Sequence, residues 1–233
     1  MTARVSAFAA ELREAAAPLW GAVHAHPFVR GIGDGTLSRD SFAFYLRQDY
    51  LYLIEFARVL AAAAAKSHDL ETMARFSALL HATLTEEMAL HRRTCASYGI
   101  GEAELARTEP SFVTAAYASM LVRTGAEGDL GDIVAALLPC AAGYVEIALA
   151  LRARGIPSVP AYRDWIETYV SEPMQETAAW LARLAGELPA SAPGGARERR
   201  RRLYDASARF ELLFFDAAWT MSMGPEPAQE ERP

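Results

Sequence analysis

Apolar residues recur at helical spacing along almost the whole chain, and the alternation typical of a half-buried strand is absent from the sequence. This pattern predicts an all-α helical bundle, because amphipathic helices must bury their apolar stripes against one another. With 233 residues, the chain is long enough to form a core without disulfides or a structural metal. The predicted helices cover residues 3–24, 39–66, 69–98, 111–125, 129–154, 160–185 and 197–223.

Capping residues and helix breakers mark several helix boundaries. Ser38 is typical of an N-cap, because its hydroxyl can accept a hydrogen bond from a free amide in the first turn. Gly99 follows a long amphipathic segment and predicts a helix end. Pro173 must interrupt the segment 160–185, since proline lacks the amide hydrogen that a helix interior uses. The glycine-rich stretch 31–36 predicts a tight turn between helices rather than a phosphate-binding loop.

The helical region is not divided by any linker rich in proline, glycine or serine, so the sequence predicts one domain over residues 1–223. Residues 189–195 are expected to form a loop inside that domain. Residues 224–233 contain three prolines and no strongly apolar side chain. We expect this tail to be disordered, because it can bury too little surface to offset the loss of chain entropy.

Charge and cysteine content constrain the partners and the compartment. The chain has 23 basic and 29 acidic residues and a net charge of −6, which disfavours nucleic acid or an anionic membrane as a partner. Cys95 and Cys140 are too few for a disulfide framework and suit a reducing compartment. The first ten residues lack the apolar core of a signal peptide, and the longest uncharged apolar run, residues 133–145, is shorter than the roughly 20 residues of a membrane span. We therefore expect a cytoplasmic protein that binds neither nucleic acid nor membrane.

The predicted helix 39–66 carries a carboxylate between two phenols. Tyr45, Asp49 and Tyr52 fall on one helix face by their spacing. A carboxylate on a core face is costly to bury unless it has a partner. Two interpretations are open at this point: a structural hydrogen-bond network, or a group that binds an amino function of a ligand.

Two further groups could carry chemistry. Cys140 directly follows Pro139, and Tyr144 lies one turn later on the same face. Such a cysteine is either a small buried hydrophobe or a nucleophile, and a nucleophile needs a nearby group that favours its thiolate. Glu211 lies among large apolar side chains such as Phe214, where a carboxyl group is either protonated and able to donate a proton or part of an exposed stripe.

Other charged motifs favour structural roles. Glu87 and His91 have i, i+4 spacing, whereas carboxylate-bridged metal sites in helical bundles use Glu-x-x-His twice. We predict an ion pair or a hydrogen bond between helices here, and no metal site. The basic run at residues 199–202 could attract phosphate, but such runs more often form a solvated helix face.

Five segments, in their order and spacing, resemble those of the TenA family, or thiaminase II. The resemblance covers residues 10 to 222, approximately. The combination is specific, although any one segment alone would not be. The segments lie at residues 26–37, 48–52, 87–91, 137–140 and 165–169.

The resemblance implies an all-helical fold like that of haem oxygenase, without haem, and assembly as a homotetramer. It also implies hydrolysis of thiamin or of its degradation product 4-amino-5-aminomethyl-2-methylpyrimidine. The product would be the hydroxymethylpyrimidine used in thiamin salvage. No cofactor is implied, and Cys140 is similar to the cysteine of the family's cysteine-containing branch.

The resemblance also implies roles for individual residues. Cys140 matches the nucleophile that adds to the pyrimidine ring, and Asp49 matches the carboxylate that binds the ring nitrogen and the amino group. Glu211 matches the carboxyl group that protonates the leaving amine. The matching tyrosines that shape the substrate pocket are Tyr52, Tyr117, Tyr144 and Tyr169.

Two other functions stay open from the sequence. A non-catalytic, pyrimidine-binding or regulatory protein would keep the pocket and bind a ligand without turnover. A haem or metal oxygenase on the same fold would need ligand spacing that the five histidines do not provide.

Overall fold

A computed structural model describes residues 6–188 and 195–225 of the chain. Within these ranges the protein is helical and has no β-strand, which confirms the all-α prediction. A π-helical segment, Thr83–Glu87, joins the fifth helix to the sixth. The α-helices are α1 Ala7–Ala15, α2 Ala17–Ala25, α3 Pro27–Asp34, α4 Arg39–Ala65, α5 Leu70–Ala82, α6 Met88–Ser97, α7 Glu102–Leu105, α8 Phe112–Glu127, α9 Leu130–Arg154, α10 Pro160–Tyr169, α11 Glu172–Glu187 and α12 Ala196–Thr220.

Helix α9 lies at the centre of the bundle and packs against α8, α10, α11 and α12. Its apolar residues are buried on almost every side, as expected for a core helix. By length and composition α9 could cross a membrane, but 67% of its most apolar window is buried inside the protein. The apolar run at residues 133–145 therefore belongs to the core of the bundle.

The N-terminal helices differ from the prediction of one helix over residues 3–24. The structure has two helices, α1 and α2, with the boundary at Ala16, because Pro18 starts a new helix in its first turn. Residues 3–5 lie outside the described part of the chain. The break lets α2 pack against α3 and α12 while α1 packs mainly against α11.

The predicted turn at residues 31–36 is largely wrong. Gly31 and Gly33 lie inside α3, and only Gly35, with φ 73°, has a left-handed backbone. Gly33 is needed for packing, since a Cβ there would lie 2.7 Å from Cδ2 of Leu151 in α9. The glycines thus serve close helix contact more than chain reversal.

Other predicted boundaries are confirmed. The Ser38 hydroxyl accepts a hydrogen bond from the amide of Ser41, as an N-cap does. Gly99 has φ 81° just after α6. The segment 160–185 is divided before Pro173, into α10 and α11.

The basic run is only partly the solvated face that the sequence predicted. Arg200 is 4% exposed and pairs with Asp129 at the start of α9, while Arg199 donates to Asp132 at 2.9 Å. These contacts attach α12 to α9, so the prediction is wrong for Arg200. Residues 189–194 of the predicted loop and 226–233 of the predicted tail lie outside the described part of the chain.

Candidate active site

Four helices of the bundle bring reactive side chains together around Cys140. This cysteine lies on α9 and keeps some accessible surface, although residues 131–139 before it are buried. Tyr52 comes from α4, Tyr117 from α8 and Glu211 from α12, and all three are buried. The rings of Tyr52 and Tyr117 lie 5.1 Å apart.

A chain of hydroxyl groups holds Glu211, which is 2% exposed. The Tyr117 hydroxyl donates to Oε1 of Glu211 at 2.6 Å and lies 2.7 Å from Oγ of Ser207. The Ser207 hydroxyl donates to the carbonyl of Ala136 at 2.7 Å. These contacts link the carboxyl group on α12 to α8 and α9 and fix its orientation.

Burial decides the protonation state of Glu211. Burial raises the pKa of Glu211 to about 8, and the negative charge of Asp49 raises it further, against the lowering effect of the hydrogen bonds from Tyr117 and Tyr144. Glu211 is therefore mainly protonated at neutral pH. A buried carboxylic acid in this state can donate a proton to a leaving group.

The buried surroundings of Cys140 disfavour its thiolate, and Tyr52 partly offsets this effect. Burial raises the pKa of the Cys140 thiol well above its ordinary value, and Glu211 raises it further, whereas the Tyr52 hydroxyl lowers it. Among the described residues, that hydroxyl is buried without a hydrogen-bond partner of normal geometry. A hydroxyl that is free to donate near a sulfur can stabilise negative charge that forms there during a reaction.

Asp49 lies at the border between this interior and an open cleft. Its side chain is 13% exposed, and Oδ2 lies 3.4 Å from Nδ1 of His91. Burial raises the pKa of Asp49 to about 7. Burial likewise raises the pKa of Glu87 to about 7, with a smaller contribution from Asp49, and the Thr83 hydroxyl donates to Glu87 at 3.1 Å.

Aromatic rings form one wall of the site. Tyr144 of α9 lies 4.9 Å from Tyr169 of α10 and 5.6 Å from Phe215 of α12, measured between ring centroids. The indole of Trp165 packs 4.8 Å from Tyr169 and donates to the Tyr45 hydroxyl at 3.3 Å. A flat heterocycle fits such a wall, because aromatic faces favour offset stacking.

The open cleft has a volume of about 80 Å³ and lies between α4, the π-helical segment, α6 and α10. Asp49 and Tyr169 line it, whereas the other five predicted site residues do not and lie deeper in the bundle. The two regions are electrostatically connected, because Asp49 raises the pKa of both Cys140 and Glu211. The structure thus brings all seven predicted residues to one region, without testing their roles.

Sequence reasoning missed some members of this region. Ser207 was not singled out, although it lies four residues before Glu211 on the same helix face, and that spacing was the available signal. Trp165 was noted only as part of a motif. His91 was expected to make a helix-packing contact, and it contacts Asp49. Among the described residues, no group of three or more His, Cys, Asp or Glu side chains could hold a metal ion.

Comparison with known proteins identifies relatives over nearly the whole chain. The model of the TENA/THI-4/PQQC family matches residues 13–221. The aminopyrimidine aminohydrolase of Halalkalibacterium halodurans is 42% identical over 219 residues, which cover 93% of this chain and 97% of that protein. The aminopyrimidine aminohydrolase of Helicobacter pylori is 33% identical and covers 89% of this chain and 96% of its own length.

Solved structures agree with the sequence relatives. A TenA family transcription regulator from a Silicibacter species has a TM-score of 0.85 and 32% identity, covering 94% of this chain and 100% of that one. A domain with a heme oxygenase-like fold from Shewanella denitrificans has a TM-score of 0.72 and 15% identity, covering 91% of this chain and 92% of that one. The last likeness concerns the fold alone and confirms the predicted haem-oxygenase-like architecture. By its sequence and its fold, the chain belongs to the TENA/THI-4/PQQC family.

Proposed function

We propose that this protein is a hydrolase of thiamin salvage that converts 4-amino-5-aminomethyl-2-methylpyrimidine, and also thiamin, to the 5-hydroxymethyl pyrimidine through a covalent bond to Cys140. The observation that carries the proposal is the group formed by Cys140, Tyr52 and Tyr117 with a buried Glu211, which accepts a hydrogen bond from Tyr117 and whose pKa is raised to about 8. The relatives named aminopyrimidine aminohydrolase support the substrate class.

Asp49 and the aromatic wall bind the pyrimidine. The exocyclic amine donates to the Asp49 carboxyl group, and the adjacent ring nitrogen shares a proton with it. Tyr144 and Tyr169 pack against the ring face. Because Asp49 lies at the cleft border, the ring enters from the cleft and reaches Cys140 with its reactive edge.

The reaction begins when the Cys140 sulfur adds to a ring carbon and its proton ends on the ring nitrogen held by Asp49. Loss of aromaticity lets the ring nitrogen lone pair expel the amine at the exocyclic methylene, while Glu211 gives that amine a proton and ammonia leaves. Water then adds to the methylene and returns a proton to Glu211. Finally the carbon–sulfur bond breaks and the thiol regains its proton, so one water is consumed and one ammonia is released.

The proposal is tested by ammonia release from the aminomethylpyrimidine. We expect Cys140→Ser to lower kcat by about a thousand-fold or more, because an alcohol is a much weaker nucleophile here. The matched control is Cys95→Ser, at a buried cysteine on α6 that does not line the cleft, which keeps wild-type kcat in the folded fraction. Turnover that survives Cys140→Ser excludes covalent catalysis by this cysteine. Tight pyrimidine binding without any release by the wild type favours the non-catalytic alternative.

We also propose that the protein acts in the cytoplasm as a homotetramer. A nucleophilic thiol needs a reducing compartment, and both cysteines are free. Exposed apolar side chains at the start of α8 and the end of α12 suit contact with another copy. They are Phe112, Leu213, Trp219, Met221 and Met223. Light scattering of the purified protein measures the assembly, and a monomer at all concentrations contradicts it.

A further inference from the structure

His91 is a buried titratable side chain that the proposed reaction does not yet use. It is 8% exposed and lies on α6, directly after the π-helical segment. Its Nε2 atom is 2.7 Å from the carbonyl oxygen of Leu46, and its Nδ1 atom is 3.4 Å from Oδ2 of Asp49. Both His91 and Asp49 line the open cleft.

The contact with Leu46 determines which ring nitrogen carries hydrogen. A carbonyl oxygen can only accept, so Nε2 of His91 must be the donor. Nδ1 of a neutral ring is then a bare acceptor, and it faces a carboxyl oxygen of Asp49. Two acceptors repel unless a proton lies between them. A proton between the two atoms removes this repulsion, either as a carboxylic acid beside a neutral ring or as a carboxylate beside an imidazolium.

Sharing one proton keeps the pair neutral, which suits its burial. An unpaired charge in this place would carry a large desolvation cost. The carboxyl group is also left with Oδ1 for another partner, while Oδ2 holds the shared proton. An aminopyrimidine presents such a pair of functions, an amine that donates and a ring nitrogen that accepts a proton.

We propose that His91 is a positioning residue that holds one proton against Oδ2 of Asp49, so that this carboxyl group can share it with the ring nitrogen of a bound aminopyrimidine. This inference rests on the function proposed above. It assigns to the i, i+4 pair of Glu87 and His91 a role beyond helix packing. Burial lowers the pKa of the His91 ring, and the hydrogen bond to Leu46 and the negative charge of Glu87 partly offset this effect.

Other titratable groups surround the pair, and the test must separate their effects. They come from six elements of the bundle. They are Tyr45 and Tyr50 of α4, Glu87 of the π-helical segment, Cys95 of α6, Cys140 of α9, Tyr169 of α10 and Glu211 of α12.

The first experiment compares the pH dependence of kcat/KM for the wild type and His91→Asn. An asparagine amide occupies the position of Nδ1 and donates to Asp49 without a mobile proton, so it favours the ionised carboxylate. We expect the first ionisation on the alkaline side of the kcat/KM profile to occur about one pH unit lower than in the wild type. Above that pH kcat/KM falls about tenfold, and at pH 6 it changes little. The matched control is His26→Asn, since His26 is also 8% exposed and caps α3, a role that asparagine fills. An equal loss at every pH shows a merely structural role and overturns the proposal.

The second experiment needs no turnover, so it separates failure of this inference from failure of the proposed function. In ¹⁵N-histidine-labelled protein, the spectrum of His91→Asn identifies the His91 signals. We expect Nε2 to carry hydrogen, and the Nδ1 signal to titrate in the wild type but not in Asp49→Asn. A ring with hydrogen on Nδ1 alone, or a titration that Asp49→Asn leaves unchanged, overturns the proposal even if the enzyme is active.

Discussion

At the scale of residues, the site is a group of buried acids that raise one another's pKa. Asp49 raises the pKa of Glu87, Glu211 and Cys140, and Glu211 raises that of Cys140. Such groups lose their protons as a coupled set. Ionising one of them makes the next ionisation harder, which keeps Glu211 available as an acid near neutral pH.

Tyr117→Phe tests the hydroxyl chain at Glu211. The hydrogen bond from Tyr117 lowers the pKa of Glu211, so its loss moves the pKa of this acid above about 8. We expect the ionisation of Glu211 in the pH profile of kcat to move to higher pH. We also expect kcat to fall about tenfold, because Glu211 loses its orientation. The control is Tyr162→Phe, which removes a buried hydroxyl that donates to the Leu37 carbonyl. A Tyr117→Phe profile identical to the wild type contradicts the hydroxyl chain.

At the scale of elements, two irregular features place the reactive groups. The π-helical segment Thr83–Glu87 adds a residue to the turn and brings Glu87 and His91 to the cleft. Such segments often occur at functional sites. In α9, Gly143 lets Trp20 approach closely, with Cη2 only 2.0 Å from where a Cβ would lie. Gly143, three positions after Cys140, therefore leaves no empty space beside the cysteine helix, because the Trp20 indole fills it.

Gly143→Ala tests this close approach. The added methyl group must displace Trp20, whose indole donates to the Tyr204 hydroxyl at 3.2 Å. We expect a loss of about 1–3 kcal/mol in the free energy of unfolding, as for overpacked cores. The matched control is Gly21→Ala in α2, where nothing lies within 4 Å of the new Cβ. That variant should gain up to about 1 kcal/mol from helix propensity. Urea denaturation measures both, and equal stability of the two variants contradicts the packing argument.

At the scale of the whole molecule, the apolar bundle that excludes water from the site also makes its carboxyl groups costly to ionise. Glu211 has a folded pKa of about 8 against an ordinary value of 4.5, and burial is the largest cause. The folded state therefore binds this proton more tightly than the unfolded state. The stability that results is fully present below pH 4.5 and is lost as pH rises toward 8.

Glu211→Gln should therefore change how stability depends on pH. Glutamine has no proton to lose, so the variant avoids the cost of ionising a buried group. We expect the stability of the variant relative to the wild type to rise by a few kcal/mol, roughly, between pH 5 and pH 8. Thermal melts across this range measure the difference in stability. Three histidines with a lowered pKa change stability with pH in the opposite direction, and comparing the variant with the wild type cancels their contribution. A constant difference across the range contradicts an ionisation of Glu211 near pH 8.

Local sequence signals predicted the long helices and several of their ends, because helical periodicity, caps such as Ser38 and breakers such as Pro173 act within a few residues. They did not predict α3 or the break between α1 and α2. The family resemblance also selected the site residues in advance. Contacts between distant segments were decided only by the tertiary structure. The sequence does not show that Trp20 fills the space beside Gly143, or that Arg200 is buried against Asp129.

The protonation states of the site residues were likewise decided only by the tertiary structure. A carboxyl group titrates according to the water, charges and hydrogen bonds around it, and for Glu211 these come from α4, α8 and α9 as well as from α12. The residue spacing predicted the helix face on which Asp49 lies. Its contact with His91 joins residues 42 positions apart, which no local pattern predicts. The sequence therefore determined which side chains could react, and the packing of the bundle determined which of them hold a proton.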